Sequence, residues 1–174
     1  MGIRHLARQR ALQFLYAFEY SAKGSTFEEI EDLFLGSDQS RRRGWGPFAR
    51  ALARATAARR KELDTAIGPL LRHWKLERLP RVDLLCLRVA LCELREFAEI
   101  PLRVTIDEYI ELSRLFSTEE SPQYINAVLD QLAREFPQKD FQAREEATTG
   151  RKKKTPEKED EVEDENENKD DFSS

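Results

Sequence analysis

A helical period runs through residues 3–136 of this chain, and it leaves little freedom in the choice of fold. Ile3, Leu6, Ala7, Ala11, Phe14, Leu15 and Phe18 recur at three- and four-residue steps, the stripe that one side of an α-helix buries. No segment alternates apolar and polar residues long enough to read as a strand. Breaks in the pattern divide it. After Gly24, Thr26 and Glu29 read as the capping box of a second helix, which Gly36 closes. Residues 37–46 read as a loop. Pro47 suits the first turn of a third helix, with Phe48, Ala51, Leu52, Ala55, Leu63 and Ile67 as its expected buried side. Gly68 and Pro69 end it, leaving residues 70–74 as a short turn. Pro80 opens the most apolar stretch, residues 82–91, whose apolar positions surround the helix and mark it as central. Beyond Pro101, Thr105 and Glu108 suggest another capping box, with Ile106, Tyr109, Ile110 and Leu112 packing inward. Ser121 as N-cap and Pro122 at the first helical position open the last helix, which Tyr124, Ile125, Val128, Leu129 and Leu132 carry inward. The expectation is an all-α bundle of about six or seven helices.

Charge separates the bundle from the C-terminal segment. Residues 1–140 carry 22 basic and 21 acidic side chains, whereas residues 141–174 carry 7 and 12. The acidic balance of the chain therefore belongs to its last segment. Residues 148–174 hold almost no large apolar side chains, so burial cannot offset their ordering entropy, and a disordered tail is expected there. The domain assignment is 1–140 folded and 141–174 tail. Apolar runs are only a few residues long, which excludes a membrane-spanning helix. The first residues lead straight into a charged amphipathic segment, with no apolar core of a secretory signal. Two cysteines do not make a disulfide framework. A soluble protein of the reducing cytoplasm is expected.

Catalytic signals are missing from the pattern. Cys86 and Cys92 stand six residues apart, about 240° around a helix, and cannot share one ion from one face. Buried thiols are expected instead. Asp107 and Glu111 share a helix face, but a solvated polar surface explains them as well as a cation pair does. No glycine-rich phosphate loop or nucleophile elbow occurs. No cofactor, metal or enzymatic activity is expected.

Two basic features remain. On the first helix, Arg4, His5, Arg8, Gln9, Gln13 and Tyr16 lie largely off the apolar stripe. Cations, amides and an aromatic are what a single-stranded RNA surface needs; an ordinary solvated helix face is the alternative. Residues 41–61 hold eight basic side chains and no acidic one, among them Arg41, Arg42, Arg43, Arg50 and Arg54. A stretch without carboxylates keeps its potential, so it is expected to add sequence-independent attraction for RNA.

Four segments, in order, resemble a known family. Residues 7–16 (ARQRALQFLY), residues 87–94 (LRVALCEL), Ile100-Pro101 with residues 104–112 (VTIDEYIEL), and residues 124–130 (YINAVLD) are similar to the NusB family of bacterial transcription antitermination factors. The likeness spans residues 4–136. It implies two packed helical subdomains and a non-enzymatic role in antitermination of ribosomal RNA transcription. It also implies binding to the boxA element of nascent RNA together with NusE, a small-subunit ribosomal protein, within the RNA polymerase antitermination complex. By the same resemblance, Arg4, His5 and Arg8 match the arginine-rich RNA-contacting stretch. Gln13 and Tyr16 match the residues that come after it, and Tyr124 and Asn126 match positions beside the RNA. Asp83 and Glu120 match acidic positions at the RNA or NusE interface. The consecutive arginines of the family are diluted here to Arg4-His5-Leu6. A second reading is the NusB-like domain of RsmB-type ribosomal RNA 5-methylcytosine methyltransferases, whose cofactor loop and catalytic cysteine motif these residues lack. A third is a helical protein–protein adaptor without RNA binding, which would lack salt-dependent RNA affinity.

Overall fold

The computed structural model describes residues 2–37, 39–71 and 75–137. The expected tail beyond residue 141, and residues 72–74 of the expected turn, lie outside them. Among the described residues there are eight α-helices and no strand. They are α1 (Ile3–Glu19), α2 (Phe27–Leu35), α3 (Gln39–Arg42), α4 (Pro47–Ala58), α5 (Arg60–Ile67), α6 (Arg81–Glu96), α7 (Leu102–Phe116) and α8 (Ser121–Ala133). None is long and apolar enough to cross a membrane.

Helix α6 is the axis. Every residue from Asp83 to Leu94 is buried, which is what an apolar run around the whole circumference demands. One half of the bundle, α1, α2 and α4, packs on α6 through α1 and α4. The other half, α7 and α8, packs on α6 directly, and α5 joins it from the side. The two halves share a single continuous core. In the first half Phe14 is the hub, with the rings of Phe18, Phe27, Phe34 and Trp45 centred 4.6–5.9 Å from its own.

The punctuation in the sequence is largely realised. The Thr26–Glu29 capping box forms in both directions, Gly36 closes α2 at positive φ, and Pro47 opens α4. Other expectations are corrected. The loop after Gly36 contains α3. The third helix is two, since the backbone leaves helical geometry at Arg59 (φ −100°, ψ 13°), and Leu63 and Ile67 turn inward beyond this break. No Gly or Pro marks the break, so only packing decides it. Helix α7 starts three residues before Thr105, whose hydroxyl donates to Glu93 instead of capping. Ser121 is the first residue of α8 rather than its cap. Ile3, expected in the buried stripe, is 82% exposed at the first turn of α1, and on α4 Ala49 and Ala53 are buried while Ala51 faces solvent.

Candidate nucleic-acid interface

The residues expected at the RNA surface divide by depth. Arg4 is exposed, its guanidinium 5.6 Å above the centre of the Phe48 ring, with no carboxylate partner among the described residues. Phe48 on α4 is itself held edge-on by Phe97, so it offers a firm shelf for that cation. One position on, His5 is half-buried and its Nδ1 lies 2.8 Å from Glu108 Oε2 of α7.

Arg8 overturns its expected role. It is 1% exposed, and its Nε and Nη2 donate to both oxygens of Glu93 at 2.8–3.1 Å. Thr105 and Tyr109 hydroxyls donate to the same carboxylate at 2.9 Å. Burial penalises the Arg8 charge, but the Glu93 bonds and charge prevail and raise its pKa above the ordinary value. Burial, and then the Glu93 charge, push the Tyr109 hydroxyl well up. A cation locked in this way ties α1, α6 and α7 together and offers no face to a phosphate. Sequence reasoning missed Glu93, although a carboxylate set among the apolar residues of the central helix is a signal. A buried carboxylate requires a cation, and Arg8 supplies it.

Further along α1, Gln13 accepts a hydrogen bond from Arg10 at 2.7 Å. Tyr16 is 43% exposed, and its ring lies 4.9 Å from that of exposed Tyr20. Gln13 and Tyr16 line an open groove with Leu12, Val82, Leu85 and Phe116. At the start of α6, Asp83 is buried and its Oδ2 accepts from Ser121 Oγ at 2.8 Å, while Oδ1 has no partner among the described residues. The buried hydroxyl of half-buried Tyr124 is also without a partner. Burial, then the Asp83 charge, raise its pKa. Tyr124 and Asn126 do not share a face, being two residues apart on one helix. Asn126 bonds Asp130 and lines a different groove, between α7 and α8, with Arg114 and Gln123. Glu120 is exposed at the start of α8.

The basic stretch is less uniform in space than in sequence. Arg50 and Arg54 meet Glu31 and Glu28 of α2, and Trp45 also donates to Glu31. The Arg50 and Trp45 bonds hold the Glu31 carboxyl below its usual range. Arg59 pairs with Glu96, and Arg60 lies 3.6 Å from Glu19. Arg41 and Arg42 donate to the carbonyls of Phe34 and Gly36. The missing carboxylates come from other elements, so the positive potential expected of residues 41–61 is interrupted at Arg50, Arg54, Arg59 and Arg60. Cys86 and Cys92 are buried thiols whose pKa values burial raises. No group of metal-ligating side chains occurs among the described residues.

This arrangement has known counterparts. The sequence model of the NusB family matches residues 5–134. The transcription antitermination protein NusB of Geobacter sulfurreducens is 40% identical over 139 residues, covering 80% of this chain and 99% of the relative. The Thermotoga maritima NusB structure superposes with a TM-score of 0.68 at 31% identity, over 80% of this chain and 96% of that one. A structure of antitermination factors NusB and NusE with double-stranded RNA shares the fold, at a TM-score of 0.58 and 20% identity over 76% of this chain and 96% of that one. From α1 to α8, this chain belongs to the NusB family.

Proposed function

We propose that the protein is a non-catalytic antitermination factor that binds a boxA-type single-stranded segment of nascent ribosomal RNA jointly with NusE. Antitermination is the role named for its 40%-identical relative, and a protein of the same fold has been captured with NusE and RNA. The observation that carries the reading is the set of accessible polar and aromatic groups along α1. Arg4 stands on its Phe48 shelf without a carboxylate, and Gln13, Tyr16 and Tyr20 succeed it along the helix. A cation at one end of α1, and amide and aromatic groups further along on its other side, suit phosphate, base edge and base face.

NusE belongs, in this reading, on the apolar part of the groove formed by Leu12, Val82, Leu85 and Phe116, beside RNA at its Gln13 and Tyr16 edge. Asn126 lies away from it, in the groove between α7 and α8. The test is a titration of labelled boxA-like RNA with and without NusE. RNA and NusE should raise each other's affinity by the same factor, as linkage requires. Arg4→Ala should lower the salt slope of RNA binding by about 0.7, one single-strand phosphate contact. RNA affinity that ignores both NusE and salt refutes the reading and favours the adaptor.

A further inference from the structure

Where α1 begins, Gly2, Ile3, Leu6 and Arg10 face Gln39, Ser40 and Arg43 of the α3 segment across a groove of about 740 Å³. Its floor is apolar, since Ile3 is exposed and Leu6 half-buried. Its rim is cationic. Arg10 crosses it, donating from Nε to the Arg43 carbonyl at 3.2 Å and from Nη2 to the Ser40 carbonyl at 2.9 Å. These acceptors, and Gln13, are neutral, so the Arg10 charge is positioned but not cancelled. The Arg43 side chain is exposed and makes no hydrogen bond or ion pair among the described residues. Among the described residues no carboxylate lines the groove.

The neighbouring groove on α4 makes the contrast. It too is lined by two arginines, Arg50 and Arg54, but Glu31 stands among them and Glu28 pairs with both. One arginine-rich stretch thus gives a neutralised groove and a positive one. Backbone geometry keeps the positive one in shape. Gly44 has φ +87°, and a Cβ there would stand 2.6 Å from Leu6 Cγ. Only glycine lets the turn after α3 lie against the groove floor at this distance.

We propose that the groove between the start of α1 and α3 is a second RNA subsite, which takes the sugar–phosphate backbone of single-stranded RNA flanking the recognised element. Arg43 and Arg10 meet phosphates, and Ile3 and Leu6 support the sugars. Charge complementarity selects this occupant, because two uncancelled cations above an apolar strip match an anionic chain with apolar sugar faces. The subsite reads no bases. It rests on the assignment of RNA to α1, and it lies at the start of that helix on its α3 side, roughly 100° or more around from Arg4.

The test uses the full chain and two labelled RNAs, a short boxA-like oligomer and the same oligomer extended by uridines at both ends, measured by anisotropy over a salt series. The native chain should bind the extended RNA about threefold or more tightly at low salt, with a slope steeper by about 0.7 per added phosphate contact. Arg43→Ala should remove most of that gain and leave the short RNA unaffected. Ile3→Ser should reduce the gain with no change in slope, and Arg54→Ala, at the neutralised groove, should leave it intact. Equal affinity of the native chain for both RNAs overturns the subsite. So does an Arg43→Ala loss that is the same for both, which would mean a diffuse field. Failure of the native chain to bind either RNA overturns the RNA reading itself, and the subsite with it.

Discussion

Arg8 shows how one residue changes meaning when its surroundings are known. On a helical wheel it is one of several cations on a polar face. In the fold it is the buried half of a bidentate pair, with Thr105 and Tyr109 completing the shell of Glu93. Arg8→Ala should therefore destabilise the protein by about 3–5 kcal/mol, because it leaves a buried carboxylate uncompensated. Chemical denaturation checks this; an unchanged midpoint with weaker RNA binding would restore a direct contact. Glu31 offers a second check. Its carboxyl is held low by Arg50 and Trp45, so its contribution is complete above the ordinary carboxylate range and lost as pH falls through its lowered value. Glu31→Gln should cost about 0.5–1 kcal/mol at neutral pH, a small figure because half-exposed Arg50 is screened by water. The gap from the native chain should close on acidification, as read from urea midpoints at several pH values.

At the scale of elements, the short helix α2 matters more than its length suggests. Its capping box satisfies two end groups that a nine-residue helix can ill spare. Its acids then neutralise the arginines of α4, and its Phe27 and Phe34 close the ring cluster around Phe14. Thr26→Ala should cost about 1 kcal/mol. The loss should appear first as faster hydrogen exchange in α2, with α6 amides unchanged. Uniform acceleration across the molecule would mean that α2 does not open on its own. The α3 segment is the opposite case. Four residues without a buried side chain hold their place through surface arginines: Arg10 bridges two α3-region carbonyls from the outside, and Arg41 and Arg42 donate back to the end of α2.

For the whole molecule, the question is whether two helical halves behave as one. They share α6 and a continuous core, which predicts a single cooperative transition. Leu52→Ala in the first half and Leu129→Ala in the second should each cost about 2–5 kcal/mol, both side chains being fully buried. In both variants tryptophan fluorescence and far-ultraviolet dichroism should report coincident unfolding. Separate transitions in either variant would show that the halves are independent domains.

The all-α class, the central helix and most helix ends follow from the chain alone. They depend on local physics, namely apolar periodicity, the Thr26–Glu29 box, Gly36, and the prolines at 47, 80 and 101. Local signals also misled, as at Thr105, which has the look of a cap and instead completes the shell of Glu93. The break at Arg59 left no local mark at all. The chemistry of the candidate interface was legible as residue types and as a family likeness, but not as exposure. Arg8 and Arg4 are four residues apart on one helix, and only the packing of α6 and α7 over the first and not the second separates a structural cation from an accessible one. The same holds for the arginines of residues 41–61. Glu28 and Glu31 stand ten or more residues before them in the chain, and the fold alone brings these acids against Arg50 and Arg54 while leaving Arg43 uncancelled. Burial and charge compensation are sums over neighbours in space, and a sequence orders neighbours only along the chain.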